Sequence, residues 1–217
     1  MNIMEHREKL ASRLESYNFF SYIFMTLPNT EFVDKILRLM TDGELQSKMR
    51  LDLIESYIKS CAVKTLPTVL QEILVDRTQL LRGINEDGCP PPYESLYVKR
   101  PPQDVMGEIT SLYNKANCTL AEDVHDSREY IGVELNFMVM LCMKQWIALE
   151  SNDANTAKNM SDLQIQFFNE HLSRWIPHYA RRMYEYAQTD FYKGIALLLE
   201  NWIEEESIYL SEQLNIQ

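Results

Sequence analysis

The chain has 217 residues, 46% of them hydrophobic and 24% charged, with a formal net charge of -11. This is a globular composition, long enough to bury a sizeable core and far from that of a disordered segment. The acidic surplus excludes a nucleic-acid binder, which needs a basic footprint, and suits a basic partner instead. No apolar run reaches the roughly 18 residues of a membrane span, and the N-terminus lacks the basic and apolar regions of a secretory signal. The expectation is a cytoplasmic protein without stable membrane insertion.

With 6 glycines against 11 methionines and 12 tyrosines, the chain favours helix over sheet. From Arg7 to Met25, the residues Leu10, Leu14, Tyr17, Phe20 and Phe24 recur every three or four positions and mark one buried stripe. Asn29 or Thr30 caps a second helix carrying Phe32, Val33, Ile36, Leu37 and Met40, which the Asp42-Gly43 breaker ends. A third helix is predicted from Leu45 to about Cys61, and a fourth starts with Pro67 in its first turn and carries Val69, Leu70, Ile73, Leu74, Leu80 and Leu81. A proline-rich connecting segment, 83–102, follows: Asn85-Glu86-Asp87-Gly88 signals a turn, and "CPPPYESLYVKRPP" (89–102) reads as rigid and extended, because proline fixes φ and removes a donor. Asp104 caps a helix to about Asn117, and a polar connection leads to "EYIGVELNFMVMLCMKQWIALES" (129–151), apolar nearly all round and so central to a bundle. The remainder gives a helix from about Ala154 to Trp175, a break at Pro177, and helices through Tyr186 and from Asp190 to Leu214. The predicted fold is all-α, one domain over 1–217 built as a bundle of about nine or ten helices.

Enzyme chemistry finds no foothold. Cys61, Cys89, Cys118 and Cys142 form no C-x-x-C pair and read as buried thiols. His6, His125, His171 and His178 form no metal-binding motif, the glycines form no phosphate loop, and acidic pairs such as Glu122/Asp123 suit a solvated helix face. No catalytic residue, metal or cofactor is assigned.

Other residues exceed what a simple core needs. Tyr130, Glu134, Phe137, Met138 and Leu141 place a carboxylate among aromatics on the central helix; a buried Glu134 is either a structural hydrogen-bond anchor or a receptor for a cation. Phe167, His171 and Trp175 share a face at four-residue steps, where they pack a core or line a groove.

"PPPYESLYV" (90–98), "EYIGVELNFMVML" (129–141) and "FFNEHLSRWIPHY" (167–179) together resemble the three signature regions of the TorD/DmsD family of cytoplasmic redox-enzyme maturation chaperones, related to the NarJ-type nitrate reductase chaperones. The resemblance implies an all-helical, non-catalytic protein. Its expected partners are the twin-arginine leader and the apo form of a molybdopterin-dependent oxidoreductase, which it holds back from export until the cofactor is inserted. It also implies that the region of Tyr93, Glu94, Ser95, Leu96 and Tyr97 lines the peptide pocket. Where the family has an Asp-His pair before the central helix, this chain has Glu129 and Tyr130, while His171 and Trp175 match a pattern that braces the fold. A leader of adjacent arginines and an apolar stretch calls for carboxylates beside an apolar groove. The arginines are accordingly expected near Glu94, Glu129 or Glu134, and the apolar stretch against Tyr93, Leu96, Tyr97 and Phe137. A scaffold protein of a respiratory complex and a nucleotide hydrolase using the acidic stretch 122–129 are the alternatives. The polar connection 117–129 offers a hinge for a domain-swapped homodimer.

Overall fold

The computed structural model describes residues 3–41, 52–61, 63–83, 88–122 and 124–216. Among them are ten α-helices: α1 (Ile3–Met25), α2 (Thr30–Thr41), α3 (Asp52–Cys61), α4 (Leu66–Arg82), α5 (Glu94–Val98), α6 (Pro102–Lys115), α7 (Ile131–Glu150), α8 (Ala154–Phe167), α9 (Ser173–Tyr186) and α10 (Asp190–Ile216). A π-helical turn, Phe168–Leu172, joins α8 to α9. The fold is all-α, and the extended pairing among the described residues is a single bridge, Tyr93 to Tyr130. The Asp42-Gly43 breaker, the 45–51 part of the expected third helix and the Asn85–Asp87 part of the expected turn lie outside the described residues.

Local chemistry sets several helix ends. Asn29 Oδ1 accepts the Phe32 amide at 2.8 Å and caps α2. Pro67 sits in the first turn of α4, and Gly83 ends that helix in the left-handed conformation at φ 60°. Three expectations need correction. Asp104 does not cap α6 but lies within its first turn, because the helix starts at Pro102. The helix does not break at Pro177: α9 runs through it, although the proline has no amide to offer the Ser173 carbonyl. The irregularity falls earlier, in the π turn, where Arg174 Nε donates to the Asn169 carbonyl at 3.2 Å. The proline-rich stretch is likewise not extended throughout, since the proline-free residues 94–98 close into the short helix α5.

The helices group into two compact units, 1–25 with 93–175 and 26–92 with 176–217. In the first, α7 packs against α1 on one side and α8 on another, with α6 on α8 and α5 on α6. Helix α7 is the one described helix long and apolar enough to cross a membrane, and most of it is buried within the fold. Leu10, Tyr17, Phe20, Ile23 and Phe24 of α1 and Ile131, Leu135, Met138 and Leu141 of α7 are buried, and the two helices pack on each other. Gly132 permits the close approach: a Cβ there would lie 2.6 Å from Met25 Cγ and 3.3 Å from Phe24 Cβ. Two polar contacts fasten the same crossing, Ser21 Oγ to the Gly132 carbonyl at 3.0 Å and Tyr130 OH to the Phe24 carbonyl at 2.8 Å. Deeper along the helices, the buried Arg13 donates to Gln164 Oε1 at 2.8 Å, and Gln164 Nε2 donates to Gln145 Oε1 at 2.8 Å, so α1, α8 and α7 share one polar chain.

In the second unit α10 packs on α3 and α4, and α2 on α4. Phe191 of α10 packs against Phe32 and Tyr57, with ring centroids 6.2 and 5.9 Å away. The start of α10 is fixed by Asp76, a buried carboxylate on α4 that accepts the Gln188 amide at 3.0 Å, the Thr189 amide at 2.8 Å and the Thr189 hydroxyl at 2.6 Å. Thr189 Oγ1 in turn accepts the Tyr192 amide at 3.2 Å, capping α10. Asp76→Ala strips these donors of their acceptor and is expected to cost about 2 kcal/mol of stability, read from urea denaturation; a loss of a few tenths would mean that water replaces the carboxylate.

Candidate functional site

The three sequence segments that carry the family resemblance converge in the first unit. Helix α5 has five residues, too few to persist alone. It is held from its N-terminus by Glu129, whose carbonyl accepts the Glu94 amide at 3.0 Å and whose Oε2 accepts the Ser95 amide at 2.9 Å. The carboxylate acts as a cap delivered from 34 residues away. The neighbouring rings of Tyr93 and Tyr130 lie 5.5 Å apart beside the bridge that pairs their backbones. Lys99, left-handed at φ 54°, closes the other end of α5.

This anchoring turns Glu94 inward, where it is 1% exposed. Its Oε2 lies 2.8 Å from His171 Nδ1, which the π turn carries into the core. On α7, one turn from its start, Glu134 is fully buried and its Oε2 accepts the Trp175 indole N–H at 3.0 Å. Burial, then the charge of Glu94 and a hydrogen bond to it, push the Glu134 carboxyl well above the usual carboxylate range, and the Trp175 bond only partly opposes them. These causes favour the protonated form, in which one carboxyl can both accept from Trp175 and donate to Glu94. Among the described residues no donor reaches Glu134 Oε1, and His171 Nε2 has no protein partner. Aromatic rings enclose the cluster: Tyr97 lies against Trp175 at 5.5 Å, Phe167 against His171 at 5.0 Å, and Phe137 packs between Tyr113 at 4.0 Å and Phe167 at 4.8 Å.

The sequence-derived site residues thus form one cluster but differ in accessibility. Glu94, Ser95, Glu129, Tyr130, Glu134 and Phe137 are buried, as are His171 and Trp175. Tyr93 and Tyr97 are half-buried, and Leu96 is 51% exposed. Beside this exposed edge is an ion pair that sequence reasoning missed: Arg100 grips Glu108 with both guanidinium nitrogens, at 2.9 and 2.6 Å, and holds its carboxyl below the usual range. The two residues lie across Pro101 and Pro102, so no helical spacing pointed to the pair. Among the described residues no set of His, Cys, Asp and Glu side chains is arranged to hold a metal ion.

Comparison with known proteins defines the class. Residues 43–181 match the nitrate reductase delta subunit family, and the chain belongs to it, within the group of NarJ- and TorD-type redox-enzyme maturation chaperones. The chain is also 25% identical, over 79 residues, to the selenate reductase assembly chaperone protein of Thauera selenatis, a match that covers 36% of this chain and 40% of that protein. It thus spans less than half the length of that relative. No solved structure gives a significant match.

Glu134→Gln tests the protonated acid, because a glutamine accepts from Trp175 and donates to Glu94 without ionising. A carboxyl whose folded pKa is raised is most favourable below its unfolded pKa of about 4.3 and loses stability as pH rises toward the folded value. Relative to Glu134→Gln, the unvaried protein should lose about 1.4 kcal/mol per pH unit through that window, followed by urea denaturation at successive pH values. Parallel stability curves would place an ionised Glu134 in the core.

Proposed function

We propose that the chain is a non-catalytic, cytoplasmic assembly chaperone that binds the twin-arginine leader and the apo catalytic subunit of a molybdenum-dependent reductase, and delays export until the cofactor is in place. The observation that carries this reading is the family match together with the convergence of 93–97, 129–137 and 171–175 on one cluster. The selenate reductase assembly chaperone supports a client of that reductase type.

Within this reading the residues divide the work by exposure. Leu96, with the half-buried Tyr93 and Tyr97, receives the apolar stretch of the leader. Glu134, Phe137, His171 and Trp175 lie behind and hold α5 in shape. The leader arginines reach Glu94 and Glu129 when α5 lifts from its cap, and they find Glu108 at the surface by exchange with Arg100, since an exposed pair is worth only about 0–1 kcal/mol. The connection 117–129 serves as the hinge of a domain-swapped homodimer, which size-exclusion chromatography with light scattering would detect as a second, concentration-dependent species.

Leu96→Asp places a charge where the apolar stretch docks without touching the core. The expected result by calorimetry is a roughly tenfold or greater loss of affinity for a synthetic leader peptide with an unchanged melting temperature. Unchanged affinity would refute this surface as the leader site.

A further inference from the structure

The second unit contains an apolar slot that the described residues leave unfilled. The slot has a volume of about 170 Å³ and is walled by Phe32, Ile36, Tyr57, Val69, Ile73 and Phe191. That is close to the roughly 150 Å³ apolar cavity known to admit benzene, so it accepts one aromatic or leucine side chain. Leu66, which also lines the slot, is 41% exposed, apolar surface that the other described residues leave open.

Tyr57 and Lys64 also form the boundary of a second, polar cleft of about 530 Å³, which contains Glu72 and Asp190. Lys64 Nζ lies 2.9 and 2.7 Å from the two Glu72 oxygens, and its ammonium sits 5.7 Å from the centre of the Tyr57 ring. The bridge is exposed and weak. A planar guanidinium matches both carboxylate oxygens and stacks on an aromatic ring better than an ammonium does. The carboxylates of the cleft, on a chain of net charge -11, favour that exchange.

We propose that slot and cleft together form a peptide-docking site for a basic segment that inserts one aromatic or leucine side chain between α2, α3, α4 and α10 while an adjacent arginine takes the place of Lys64 on Glu72. The site uses no residue of 93–137 and goes beyond the leader-binding reading.

The test uses the full chain and a short Ser/Ala peptide carrying adjacent Arg and Phe, followed by fluorescence anisotropy. Replacing the peptide's Phe by Ser, or filling the slot with Val33→Trp, should each lower affinity about ten- to hundredfold. Glu72→Gln should lower it about tenfold for the Arg peptide and leave a Gln-Phe peptide unaffected. Cys61 lines the slot and is half-buried, whereas Cys89, Cys118 and Cys142 are buried. Saturating peptide should therefore slow maleimide labelling of Cys61 in the unvaried chain, a readout that holds even if Val33→Trp fails to fold. Unchanged Cys61 labelling, no binding, or photo-crosslinks from a benzoylphenylalanine peptide confined to 93–175 would each overturn the proposal; the last of these would leave the leader reading standing.

Discussion

A carboxyl group buried inside the first unit, in surroundings that favour its un-ionised form, is the constraint on which the candidate site depends. Glu134 is placed at the start of α7, where two demands meet it: the Trp175 indole needs an acceptor, and Glu94 needs a donor. One protonated carboxyl satisfies both. Glu94 also faces His171, and the backbone of the same short helix is held by Glu129, so α5, α7, the π turn and the beginning of α9 are joined through three carboxyl groups. Removing any one member leaves buried polar groups without partners, which costs more than the bond itself contributes.

This arrangement explains why sequence segments far apart carry one signature. The tyrosine-rich segment supplies a helix too short to stand alone, the central helix supplies the cap and the acid, and the "FFNEHLSRW" segment supplies the imidazole and the indole. The buried part fixes a shape; the exposed part, Leu96 with the edges of Tyr93 and Tyr97, is what a partner can touch.

The helices were legible where the signal is local. Asn29, Pro67 and Gly83 mark ends within one turn of themselves, and the nearly uninterrupted apolarity of 131–149 can only be a buried helix. Features set by distant partners were not. Helix α5 exists because Glu129 caps it, and prolines on both sides read as extended chain when that cap is unseen. Pro177 suggested a break, yet the helix runs through it, while the π turn before it has no sequence signal of its own. The carboxylate of Glu134 could be placed among aromatics by spacing alone, but its partners Trp175 and Glu94 lie 41 and 40 positions away, beyond the reach of periodicity. The buried Arg13 illustrates the same limit: its acceptor, Gln164, is 151 residues distant.

Infrared difference spectroscopy tests the protonated acid most directly. At neutral pH the full chain should show the carbonyl band of a protonated carboxyl group, shifted by strong hydrogen bonding, which disappears in Glu134→Gln and persists in a Glu170→Gln control at an exposed position. A neutral-pH spectrum without that band, or one in which the band survives Glu134→Gln, would contradict the account of the buried cluster given above.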